Sequence, residues 1–282
     1  MTSSNADRDA DRNPAKTLYL PRPEGRIAYD VSGSGPLIVC IPGMGDIRST
    51  FRHLVPALEA AGNRVATMDL RGHGDSDITF SSYDDNALAD DIRALIAELG
   101  EPAVLVGSSM GAASAIIAAA AAPDQVRGLV LLGPWAREPD IGLGARALTR
   151  VAMAPLWARF VWKAYQSKLY PGTKPDDFEQ HRDAIVASLK RPGYAKAFSV
   201  TTHSTHEPAE AAIGSVKAPA LVVMGERDPD FPDPAAEAKW IGQRLDARGV
   251  MVREAGHYPH GHRPEIVIPT VVGFVTTINA DA

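Results

Sequence analysis

The stretch that most limits what this chain can become is Val104-Leu105-Val106-Gly107-Ser108-Ser109-Met110-Gly111-Ala112-Ala113, where a short apolar strand runs directly into an alanine-rich helix through the pattern G-x-S-x-G. A serine hydroxyl is a poor nucleophile and must be exposed, held near a base and set beside donors for an oxyanion. A sharp strand-to-helix turn meets two of these needs. It lifts the Ser109 hydroxyl above the carboxyl edge of a sheet, and it puts the Met110 N–H at a helix N-terminus, where partial positive charge favours an anion. Gly107 and Gly111 flank the position where a side chain would crowd a strained backbone. Ser108 is the neighbouring hydroxyl, but the pattern centres on Ser109.

Around this turn the chain alternates strand and helix. Thr17–Pro21 and Arg26–Ser32 read as an opening hairpin, and Leu37–Ile41 as a strand buried on both faces. A helix over Phe51–Ala61, a strand over Arg64–Asp69 and an amphipathic helix carrying Leu88, Ile92, Leu95, Ile96 and Leu99 follow. Asp84 or Asp85 can cap that helix and Gly100 can end it. After the central turn, Gly128–Gly133 supplies another strand. The alternation stops between residues 135 and 215, where helical patterns broken by Pro155 and Pro171-Gly172 carry three of the four tryptophans. This segment reads as an inserted helical cap on a core of residues 17–134 and 216–282. The rhythm resumes with strand Ala220–Met224, a helix around Ala235–Leu245, strand Val250–Arg253 and a last helix from Pro264 to Ile278. Short connections throughout point to a mostly parallel sheet with helices on both faces.

The gross numbers remove several function classes. A net charge of −5 over 282 residues and a pI near 5.9 leave no basic footprint for nucleic acid and no polybasic run for anionic lipid. Residues 1–16 are too polar for a secretory segment and read as a disordered tail; the chain is expected in the cytoplasm, off the membrane. The single Cys40 lies inside an apolar strand and reads as structural.

If Ser109 is a nucleophile, it needs a histidine base and a carboxylate behind that base. Asp228, in Met224-Gly225-Glu226-Arg227-Asp228, and His257, in Glu254-Ala255-Gly256-His257, each follow a strand, so both should reach the rim that carries Ser109. Glu226 and Asp230 compete with Asp228. His260 and His262 compete with His257 and otherwise read as a solvent-facing loop, without the partners a metal site needs. His73 reads as structural.

The order Ser109, Asp228, His257, together with Asp69-Leu70-Arg71-Gly72-His73-Gly74-Asp75-Ser76 and Gly256-His257, resembles the α/β-hydrolase family, specifically its capped serine hydrolases. The resemblance implies a mostly parallel eight-stranded sheet flanked by helices with an inserted cap. It also implies a Ser109/Asp228/His257 triad, oxyanion donors from the Met44 and Met110 backbone amides, and no cofactor or metal. Pro42-Gly43 stands where many members carry His-Gly, which leaves the Met44 N–H in place. Gly43, Trp135 and Trp157 are candidate substrate contacts, Trp135 because it directly follows a strand, although helical spacing of the cap aromatics, Phe160, Trp162 and Tyr165 among them, favours the cap's own core. A roofed apolar site favours a small carbonyl substrate without charge. The expected reaction is ester cleavage through an acyl-enzyme. Carbon–carbon bond hydrolysis, cofactor-free haloperoxidase or perhydrolase chemistry and a non-catalytic ligand-binding role share the same residues.

Overall fold

The computed structural model describes residues 16–138 and 143–281, so the polar segment expected to be a disordered tail lies almost wholly outside the described residues. Eight strands form one sheet: β1 (Leu18–Arg22), β2 (Gly25–Gly33), β3 (Leu37–Ile41), β4 (Arg64–Met68), β5 (Ala103–Ser108), β6 (Val126–Leu132), β7 (Ala220–Gly225) and β8 (Arg248–Val252). Their spatial order is β1-β2-β4-β3-β5-β6-β7-β8. The opening hairpin pairs antiparallel and attaches antiparallel to β4, and every later pairing is parallel. The sheet therefore brings the carboxyl ends of β3, β5, β6, β7 and β8 to one rim.

Alternation along each strand builds two cores. Leu37, Val39 and Ile41 of β3 and Leu105 of β5 face one side, against α2 (Asp85–Leu99), α3 (Met110–Ala121) and α9 (Pro234–Leu245). Ile38 and Cys40, with Val104 and Val106, face the other, against α1 (Leu54–Ala60) and α11 (Pro264–Ala280). A strand covered on both faces has no room for polar positions, which is why β3 reads as an unbroken apolar run. Asp84 accepts the Ala87 N–H as N-cap of α2, and Gly100 closes the helix in the left-handed region. The helix expected from Phe51 splits: Arg48–Phe51 is a single 3-10 turn and α1 begins at Leu54.

Between β6 and β7 lie α4 (Leu143–Ala152), α5 (Ala158–Leu169), α6 (Phe178–Leu189), α7 (Tyr194–Thr201) and α8 (Glu207–Ala212). α5, α6 and α7 pack on one another around Trp162, Phe178, Ile185 and Phe198. α8 instead packs on α3 and α2, back toward the sheet. No helix among the described residues is long and apolar enough to cross a membrane.

One local expectation is overturned here. His260 and His262 do not face solvent: they lie in α10 (Pro259–His262) and are 1% and 6% exposed. Pro259 at the helix start and the apolar partners Phe51 and Tyr170 draw the segment inward. His262 Nδ1 accepts the Gly256 N–H at 3.0 Å, so its Nε2–H donates to Thr173 O at 2.9 Å. The ring that sequence reasoning left on the surface holds the loop carrying His257.

Candidate active site

The turn after β5 is strained as its sequence requires. Ser109 sits at φ 52° and ψ −119°, a region that residues with a side chain seldom adopt. A Cβ on Gly111 would come within 2.4 Å of Ile41 O, and one on Gly107 within 2.5 Å of Gly111 O, so the turn closes only with glycine on both sides. Ser109 N donates to Leu132 O at 3.0 Å, which ties the turn to the end of β6.

The carboxyl end of β6 is also where His257 arrives: a Cβ placed on Gly133 would lie 2.2 Å from His257 O and 3.6 Å from its Nδ1. Gly43, from the loop after β3, approaches Ser109 from another side, a Cβ there falling 2.9 Å from Ser109 Cβ. The serine, the histidine and the Gly43-Met44 turn thus meet around one strand end, under cover: Ser109 is 5% exposed and His257 2%.

His257 Nδ1 lies 2.8 Å from Asp228 Oδ2 and 3.4 Å from Asp230 Oδ2, and both carboxylates are buried. Burial opposes charge on the ring, but Asp228 and Asp230 outweigh it and push its pKa up to about 9. Burial in turn raises the Asp230 carboxyl, only partly offset by His257. Glu226, the other competitor for the acid, is exposed. Among the described residues, Asp228, Asp230 and His257 also form the group whose donor atoms, all within 4.8 Å, are close enough to share a metal ion. Asp228 and His257 are already each other's hydrogen-bond partners.

The Gly43–Ile47 loop is held at several points. His73 Nδ1 is 2.8 Å from Arg71 O, a carbonyl that can only accept, so the proton sits on Nδ1 and Nε2 accepts the Gly45 N–H at 3.0 Å. Burial depresses the His73 pKa, in keeping with a neutral ring. Trp162 Nε1 donates to Gly45 O at 2.7 Å, and His181 Nε2 meets Asp46 Oδ1 at 2.9 Å. α5 and α6 therefore grip the turn that carries the Met44 amide. The Asp69 carboxylate accepts the Arg48 and Asp75 amides at 2.7 and 2.9 Å, and Ser76 Oγ donates to Asp69 O at 3.1 Å, which explains the spacing of the Asp69–Ser76 motif.

The aromatic candidates separate. Trp135 N donates to Ser109 O at 3.5 Å, and its ring lies between His206 and Phe231 with a buried Nε1 that has no hydrogen-bond partner. Trp157 is 41% exposed on the corner between α4 and α5, where its indole donates to Val151 O; among the described contacts none joins it to Ser109 or His257. His181 was not singled out from the sequence; Asp230 entered only as a rival acid, His262 only as a rival to His257, and Trp162 and Tyr165 only among cap aromatics that could line an entrance or form the cap's own core. Each acts across a separation that no local pattern records, except Asp230, whose place two residues past Asp228 was the available signal.

Residues 38–270 match the profile of the alpha/beta hydrolase family. A 2-(acetamidomethylene)succinate hydrolase from Mesorhizobium japonicum is 30% identical over 267 residues, spanning 89% of this chain and 92% of its own. A pimeloyl-[acyl-carrier protein] methyl ester esterase from Neisseria meningitidis is 30% identical over 231 residues, 79% of this chain and 71% of its own. Among solved structures, an esterase from Thermogutta terrifontis superposes with a TM-score of 0.79 at 23% identity, over 94% of this chain and all of that one.

Proposed function

Because the chain belongs to the alpha/beta hydrolase family, we propose that it is a serine hydrolase that cleaves an ester or related carbonyl compound through an acyl-enzyme. The observation that carries this reading is the convergence on the end of β6 of a serine at φ 52° and a histidine paired at 2.8 Å with a buried aspartate. His257 takes the Ser109 proton as the hydroxyl attacks the carbonyl carbon. Asp228 holds the tautomer with Nδ1 protonated and stabilises the imidazolium. The Met44 and Met110 amides receive the oxyanion, and the imidazolium returns its proton to the leaving group. Water then attacks the acyl-enzyme with the same base.

Residues 135–215 are proposed as a cap whose α5 and α7 present Trp162, Tyr165 and Phe198 above the core, with Trp135 at its root. Gly43 and Trp135 would contact the substrate, the unpaired Trp135 N–H offering one donor to it. That lining fits an apolar substrate of low charge.

The test is labelling with a fluorophosphonate, with the adduct located by peptide mass analysis, alongside a panel of p-nitrophenyl esters. The expected adduct is on Ser109, and Ser109→Ala should lower ester turnover by about 10⁴- to 10⁶-fold. Turnover that survives the substitution rejects the reading.

A further inference from the structure

One cap helix reaches both halves of the proposed machinery. On α5, Trp162 bonds the loop of the Met44 amide, and Tyr165, one turn on and in contact with the Trp162 ring at 5.8 Å, donates its phenol to Asp230 Oδ1. At the C-terminus of the same helix, Leu169 O accepts the His257 N–H at 3.0 Å. Asp230 is not needed to orient His257, since Asp228 already bonds Nδ1. Yet the Asp230 N–H donates to Asp228 Oδ1 at 3.0 Å, which turns its own carboxylate back to within 3.4 Å of the same ring nitrogen. A buried carboxylate placed beside an ion pair that is already complete calls for an explanation.

We propose that Tyr165 and Asp230 form a positioning pair through which the seating of α5 sets the basicity of His257, an inference that rests on His257 being the general base. The phenol favours the ionised form of Asp230 in a site where burial opposes it. The ionised Asp230 adds its field to that of Asp228 and favours the imidazolium. With α5 lifted, water replaces the phenol and screens both carboxylates, and the field at His257 weakens. Among the described residues, the other titratable groups that face the ring are Asp46 from the loop after β3, whose charge also favours the imidazolium, and Tyr258 and His260 from its own segment. None of these lies on the cap, so Tyr165 is the titratable cap residue that reports to His257 through Asp230.

The experiment follows the His257 ring by ¹⁵N NMR across pH in Ser109→Ala protein, so that its outcome does not depend on turnover. In the parent the ring should titrate well above an ordinary histidine. Asp230→Asn should lower the midpoint by about one pH unit or more. Tyr165→Phe should move it the same way, and the double variant should go no further than Asp230→Asn alone. In Ser109-containing protein the kcat/KM profile should shift in step. A midpoint unmoved by Asp230→Asn, a shift with Asp230→Asn that Tyr165→Phe does not share, or additive shifts in the double variant would each overturn the proposal. Asp230→Ser serves if Asn does not fold, with near-ultraviolet dichroism as the check. Failure of the hydrolase reading would appear separately, as turnover by Ser109→Ala.

Discussion

In the proposed mechanism His257 has to carry a positive charge where water scarcely reaches, and Asp228 and Asp230 push its pKa up to about 9. A protonated ring cannot accept the Ser109 proton, so kcat/KM should rise with pH to a plateau reached only as the ring deprotonates near 9. A pH–rate profile on a neutral ester checks this, and a plateau already complete at pH 7 would contradict it. Asp228→Asn should cost about 10⁴-fold in kcat by presenting the wrong tautomer, while leaving the fold in place by circular dichroism. As candidates, Ser109, Asp228 and His257 could be picked out because each follows an apolar strand, and parallel strands deliver such residues to one rim. Asp230 was visible only as a rival for the acid. Tyr165 was visible only as a cap aromatic, and its bond to Asp230 was not, since that partner lies 65 positions away and the period of α5 records only which face is buried.

At the level of elements, the sheet and its flanking helices could be read because apolar runs and helical periods are local, and their ends fall within a few residues of those expected. What could not be read is where the helices of residues 143–201 sit, since seating depends on polar pairs such as Asp46–His181 that join distant segments. The His260-Gly261-His262 stretch failed for a related reason: its polar letters suggest solvent, whereas the Thr50 hydroxyl and the Gly256 and Thr173 backbones give the two imidazoles partners inside. α5 offers an element-scale test. Trp162→Phe keeps most of the packing but removes the donor to Gly45 O, which should destabilise the protein by about 1 kcal/mol and loosen the loop of the Met44 amide. Turnover should fall by roughly tenfold with KM little changed, the pattern of an interaction felt mainly in the transition state. Steady-state kinetics and thermal melting together check both parts.

For the whole molecule, the buried titratable groups give stability a pH dependence whose sign changes. Burial lowers the His260 pKa to about 3, so from pH 6.5 down to that value the unfolded chain takes up a proton that the folded one refuses, and His260 costs stability as pH falls. Burial raises Asp69 to about 6 in spite of Arg48, which binds a proton in the folded state between 3.8 and 6 and offsets His260 over that window. His257, raised to about 9, stabilises the fold fully below 6.5 and loses that contribution as pH climbs to 9. Melting temperature should therefore decline from pH 6.5 to 9, and His257→Gln should flatten the decline. The protein is expected to work fastest under conditions where it holds together less well.

The sheet carries its own reporter of that compromise. Cys40 is the chain's one thiol, at 0% exposure in β3, between β4 and β5, with its ionisation suppressed by burial. No alkylating reagent can reach the sulfur until those neighbours separate, so each molecule keeps a chemical tally of whether its centre has ever come apart. Without denaturant and at mildly alkaline pH, where a released thiol ionises, the slow gain of iodoacetamide mass would report the fraction of molecules whose centre stands open.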